Sequence, residues 1–188
     1  VFARVADRYF QAYGDQSDAL AHIAAKNHRN GSRNPYAHVQ KDLGYAFCRT
    51  ESDRNPVVAA PLKRTDCSMI TDGAAAAILC PLDMAKKIAK GGAVKVIASG
   101  HATDTIALHS RENLAEIPSV AFAAEKAYDM AGLGPKDIDF AEVHDCFTIA
   151  EICAIEALGF FEKGQGGPAS EAGETARDGS KPINTSGG

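Results

Sequence analysis

Three consecutive side chains of the 188-residue chain could do chemistry together: the imidazole of His144, the carboxylate of Asp145 and the thiol of Cys146. A histidine beside a thiol has the residue types of an activated nucleophile, and an imidazole N–H can also donate to an oxygen that gains negative charge. Their position matters as much as their type. Ile138 to Val143 is a short, largely apolar segment with strand character. From Thr148 the pattern becomes helical, with Ile149, Ile152, Cys153 and Ala157 on one side and Gly159 as the stop. In α/β folds, ligands collect where the carboxyl end of a strand meets the next helix. Asp145 or Thr148 is expected to cap that helix, and its N-terminus would favour negative charge nearby.

The elements around this turn read as α/β. Phe2, Val5, Ala6, Tyr9, Phe10 and Tyr13 recur at helical spacing and Gly14 closes the run. Ser17 is expected to cap a second helix, Asp18 to about Asn30, with Leu20, Ala21, Ala24 and Ala25 as its small-residue face. Lys26, His28 and Arg29 near its end, with Arg33 just beyond, either complement the helix dipole or attract an anionic substrate tail. Residues 30–61 are irregular, with short helical pieces. Asp72-Gly73 signals a turn, and Ala74–Cys80 is apolar enough for a fully buried strand. Pro81 to Lys90 reads as a helix, Gly91-Gly92 as a break, and Val94 to Ala98 as a strand. Pro118 opens a helix whose inner face is Val120, Ala123, Ala124, Ala127, Tyr128 and Ala131. Lys163 to Lys181 has the composition of a mobile polar loop, and Pro182 to Thr185 that of a strand start.

Composition excludes several classes. A net charge of −4 argues against a nucleic-acid surface, and no apolar run is long enough to span a membrane. Five cysteines without Cys-x-x-Cys spacing suggest reduced thiols in a cytoplasmic setting rather than a zinc site. Of these, Cys48, Cys67, Cys80 and Cys153 read as small buried hydrophobes. No P-loop, Gly-x-Gly-x-x-Gly or His-Glu-x-x-His motif occurs.

Four segments, in order along nearly the whole chain, carry a family resemblance. They are Lys26-Asn27-His28-Arg29-Asn30-Gly31 with Asn34-Pro35; Cys67 to Ala76; His144-Asp145-Cys146-Phe147 followed by Ala150-Glu151 and Glu156 to Gly159; and Ile183 to Gly188. Together they resemble thiolases of the sterol-carrier-protein type and related acetyl-CoA acetyltransferases. The resemblance implies a layered αβαβα fold of the α/β class, incomplete in this chain, with a loop-rich insertion. Residues 1–90 would be the second half of the N-terminal thiolase domain, the insertion lying at about 15–61. Residues 91–188 would be the first half of the C-terminal domain. It also implies acyl-CoA as substrate, no permanently bound cofactor, and a homodimer or tetramer, with a partner subunit as a further expectation.

By the same resemblance His144 serves an oxyanion hole, a role worth about 3 kcal/mol in enzymes of this general kind. Asp145 stands behind it. Ser68, otherwise an ordinary turn serine, contacts the pantetheine arm of CoA, and Arg29 and Arg33 face its phosphates. Cys146 is not the expected nucleophile, because that cysteine lies in a separate motif upstream of Val1, and the Gly-His-Pro histidine and Cys-x-Gly cysteine belong after Gly188. The chain by itself is therefore expected to lack thiolase turnover. A steroid side-chain aldolase-like relative and a catalytically silent CoA-binding or scaffold protein are the alternatives. A peroxisomal location is expected if the source is eukaryotic.

Overall fold

The computed structural model describes all 188 residues, Val1–Gly188. The first apolar stripe forms α1 (Phe2–Tyr13), ended by Gly14 at φ 87°, and its inner face buries Val5, Ala6 and Tyr9. The second helix, α2 (Ser17–Gly31), buries Leu20, Ala21, Ile23, Ala24 and Ala25. Ser17 is not its cap: the preceding Gln16 holds that position without a side-chain bond. Ser17 instead donates from both its amide and its hydroxyl to Asp15 Oδ1, at 2.9 and 2.6 Å. The irregular stretch that follows contains α3 (Gly44–Arg49) and a small hairpin, β1 (Val57–Ala59) paired antiparallel with β2 (Leu62–Lys63). Asn55 pins this stretch. It is fully buried, and its amide donates to the carbonyls of Phe47, Cys48 and Thr50 while its oxygen accepts from the Thr65 N–H.

The sequence from Met69 to Gly100 departs from expectation. Neither Ala74–Cys80 nor Val94–Ala98 forms a strand; both are irregular, and Ile78, Leu79, Val94 and Val96 are exposed. Strand character in side chains is not enough, because a strand needs a neighbour for its N–H and C=O groups, and here the one sheet is the two-stranded hairpin. Between the two segments α4 (Leu82–Ile88) forms as predicted but buries no residue.

The C-terminal half is closer to its reading. Helix α5 (Pro118–Ala131) starts at its proline and ends at Gly132 in the left-handed conformation, with Ala124 the most buried residue of the expected inner face. Helix α6 (Thr148–Ala157) is buried all round from Thr148 to Ile155. Against it packs α7 (Gly166–Glu171), within the stretch expected to be mobile; Gly166, Gly167, Ala169 and Ser170 are buried. Glycine makes that contact: a side chain at Gly166 would press on Glu156 and Ile152 of α6, and one at Gly167 would collide with Gln16 before α2. The core thus joins α1, α2, the hairpin and α6 through Val5, Tyr9, Leu20, Ile23, Leu62, Ile149 and Ile152. Each such side chain contributes about 1.5–3 kcal/mol of apolar burial. Tyr9 adds a polar tie, its hydroxyl donating to Glu156 Oε1 at 2.5 Å.

Candidate active-site cleft

The His144–Cys146 turn is fixed by backbone pairing on both sides. Upstream, the extended Ile138–Val143 segment makes a parallel bridge between Ala141 and Ile183: the Ala141 N–H donates to Pro182 O at 3.0 Å and the Asn184 N–H donates to Ala141 O at 2.9 Å. This is the strand start expected at Pro182, reduced to one bridge. Downstream, Cys67 and Phe147 form an antiparallel bridge, and the Ser68 N–H donates to Cys146 O at 3.0 Å. The segments around Ser68, His144 and Asn184 are therefore stitched together before any side chain is considered.

An open cleft of about 410 Å³ lies along this seam. Its walls come from the end of α2 and the loop after it (Asn27, His28, Tyr36, His38), from residues 65–73 including Ser68, from Asp145 and Thr148, and from Ser186 to Gly188. Asn34 secures the last wall by donating to Ser186 O at 3.0 Å. Glu142 holds it from the other side, accepting from the hydroxyls of Thr185 and Ser186 at 2.8 and 2.9 Å. Glycine is required here. Gly187 sits at φ 98° and a side chain on it would press into the Gly31 backbone, while one on Gly188 would collide with Asp145 and Asn27.

Beneath the cleft floor lies a buried polar cluster. Glu151, fully buried on α6, pairs with Lys26 of α2. Its other oxygen accepts from Asn27 Nδ2 and Asn184 Nδ2, each at 3.0 Å. Asn27 Nδ2 also donates to Asp145 Oδ2 at 2.6 Å, and Lys26 Nζ to Ile183 O at 3.1 Å. Burial, reinforced by the nearby Glu151 charge, pushes the Asp145 carboxyl up from 3.8 to about 7. The cap role foreseen for Asp145 or Thr148 is not filled by either: Phe147 occupies the N-cap of α6 without a side-chain bond. Asp145 is engaged by Asn27, and Thr148 Oγ1 donates to the buried Asp66 at 3.1 Å.

Among the expected site residues, Ser68 and Asp145 line the cleft together. His144 is exposed and lies outside the lining, although its neighbour faces in. Arg29 is an exposed partner of Asp42 at 3.4 Å, and Arg33 is exposed between the lining residues Gly31 and Asn34. Cys146 has its thiol pushed up by burial and by Asp145, which holds it in the unreactive protonated form. Burial likewise raises Cys48 to about 11 and Cys153 to about 12. Cys67 and Cys80 are only half-buried, less enclosed than a core hydrophobe.

Asn27, Glu151, Asn184 and Gly188 were not singled out individually by sequence reasoning, and Lys26, read there as a helix-end cation or an anchor for an anionic substrate tail, is instead the partner of the buried Glu151. One signal was available: an acidic Glu151 amid the otherwise apolar run from Ile149 to Ile155 must be paired.

Comparison with known proteins gives the chain's relatives. Residues 100–188 match the family described as thiolase C-terminal domain-like. The whole chain aligns at 45% identity with an acetyl-CoA acetyltransferase of Methanothermobacter thermautotrophicus, covering 48% of that protein. It aligns at 35% with sterol carrier protein 2 of Oryctolagus cuniculus, covering 34% of it. The chain thus spans half or less of the curated relatives it matches. Among solved structures, an Ltp2-ChsH2(DUF35) aldolase superposes on the entire chain with a TM-score of 0.81 at 22% identity, over 49% of its own length; that likeness establishes a shared fold.

Proposed function

We propose that this member of the thiolase superfamily is the part of an acyl-CoA thiolase that builds one wall of the acyl-CoA cleft. The observation that carries the reading is convergence: four segments far apart in sequence, 26–35, 67–76, 144–151 and 183–188, meet at one cleft and its floor. A thiolase joins or splits acyl-CoA chains by thiolate attack on a thioester, and preorganised donors stabilise the oxygen that gains charge. In this proposal Ser68 contacts the pantetheine arm and Asp145 backs the turn. His144 reaches the oxyanion from the rim when substrate fills the cleft, and Arg29 and Arg33 face the CoA phosphates. The acyl-accepting and proton-moving cysteines come from other segments of the same polypeptide. The substrate would be the only CoA-derived group, with no resident cofactor.

Residues 1–90 and 91–188 would then belong to two successive thiolase domains, assembled as a homodimer or tetramer or with a partner subunit, in the cytoplasm or in a peroxisome. The fold shared with an aldolase keeps a non-thiolytic reading open. Product analysis on the polypeptide expressed from its own gene separates the two. CoA-dependent conversion of acetoacetyl-CoA into two acetyl-CoA molecules, lost in His144→Ala, supports the thiolase. Binding without thiolysis supports the alternative, and thiolysis indifferent to His144 removes its oxyanion role while keeping the thiolase.

A further inference from the structure

The cluster under the cleft has a charge count that its geometry makes consequential. One cation, Lys26, serves two carboxylates, Glu151 and Asp145; Asn27 bridges the two carboxylates and Asn184 adds a donor to Glu151. Glu151 is fully buried with both oxygens engaged: Lys26 on one, the two asparagine amides on the other. Asp145 has one side-chain donor, Asn27, besides its own backbone N–H, and it alone of the three lines the cleft. The two carboxylates share one amide nitrogen, so their charges face each other across it. Two like charges at such range cannot both be ionised without cost, and the one that is less well solvated by donors takes the proton.

We propose that Glu151 and Lys26 are positioning residues for the cleft: through Asn27 they fix Asp145 against the Gly188 turn and make Asp145 the carboxyl that holds the pair's exchangeable proton. Protonated, Asp145 presents a neutral surface to the ligand. Ionised, it puts a negative charge beside an already anionic CoA ester. The inference rests on the acyl-CoA reading only for the ligand; the sharing of the proton stands on the cluster alone.

The other titratable groups near Asp145 do not replace this arrangement. His28 of α2 lines the same cleft, and burial lowers its proton affinity, so it is not a second resident cation. Asp66 is engaged by Lys63 and Thr148, and Asp72 lies farther along the same wall. On Asp145's own turn, His144 is exposed and Cys146 stays a thiol. Burial and the Glu151 charge together raise the Asp145 carboxyl to about 7, in the direction the charge count requires.

The test is the pH titration of the Asp145 side-chain carboxyl by carbon NMR in the full polypeptide, beside acetyl-CoA affinity over the same range. A midpoint near neutrality is expected. Glu151→Gln should lower it by about one pH unit, and Asn27→Ala should raise it, because the first removes a like charge and the second a donor to the ionised form. Acetyl-CoA affinity should weaken several-fold as Asp145 ionises, with its break moving in step. Should Glu151→Gln fail to fold, Asn27→Ala decides alone, since it keeps the charged pair. A midpoint in the ordinary carboxylate range, or one unmoved by the substitutions that fold, overturns the inference. Shifts as expected without acetyl-CoA binding at any pH support the inference and remove the acyl-CoA reading instead.

Discussion

Replacing Asp145 by Asn should make the protein more stable at pH 8 and leave it nearly unchanged at pH 4. The carboxyl is raised from 3.8 to about 7 in the folded chain. Below pH about 4 it is protonated whether the chain is folded or not. Between about 4 and about 7 the folded chain keeps a proton that the unfolded chain has released, so stability falls as pH rises. Above about 7 both forms are ionised and the cost is constant. That interval corresponds to about 4 kcal/mol at most, at about 1.36 kcal/mol per pH unit. Because the site borders an open cleft and water can enter, about 2 kcal/mol is the expected realised cost. Asparagine is the neutral isostere, and its oxygen can still accept from Asn27. Urea unfolding of wild type and Asp145→Asn at both pH values reads the difference directly. A gain of about 2 kcal/mol at pH 8 and under about 0.5 at pH 4 is predicted. An equal effect at both pH values would refute the linkage, and a loss at pH 8 would show that the ionised carboxylate is the favoured form.

Further substitutions probe other parts of the structure. Ser68→Ala leaves the backbone bond from Ser68 N–H to Cys146 O intact, so acetyl-CoA affinity should fall about tenfold with an unchanged urea midpoint; calorimetric titration reads the former. Gly187→Ala forces a side chain onto a left-handed residue pressed against Gly31, and a loss of about 2 kcal/mol is expected in the same unfolding assay. Tyr9→Phe removes the 2.5 Å bond to Glu156, which keeps its bond from Gly166 N–H, and should cost about 1–2 kcal/mol. Arg29→Ala with Arg33→Ala should weaken CoA binding and flatten its salt dependence; unchanged affinity would exclude a phosphate role for both.

Helices were legible wherever one face alone is apolar or a breaker ends the run: α1 before Gly14, α5 between Pro118 and Gly132. Strands were not. Ala74–Cys80 has strand-forming, apolar residues, but pairing is a property of two segments, and no segment lies beside it. The stretch from Lys163 to Lys181 misled in the opposite sense: its glycines suggested mobility, whereas Gly166 and Gly167 let α7 approach Glu156 and Gln16 closely enough to be buried. The turn at His144–Cys146 was found from local pattern. Its true partners, Asn27 and Ser68, lie 118 residues from Asp145 and 78 residues from Cys146, a proximity that only the folded chain supplies.

Occupation of the cleft by an acyl-CoA is tested most directly by amide hydrogen exchange of the full polypeptide with and without acetyl-CoA. Slowed exchange concentrated at residues 27–38, 67–73 and 186–188 is predicted, because these backbones form the walls. Protection confined to other segments, or none at saturating acetyl-CoA, would contradict the assignment of this cleft as the acyl-CoA site.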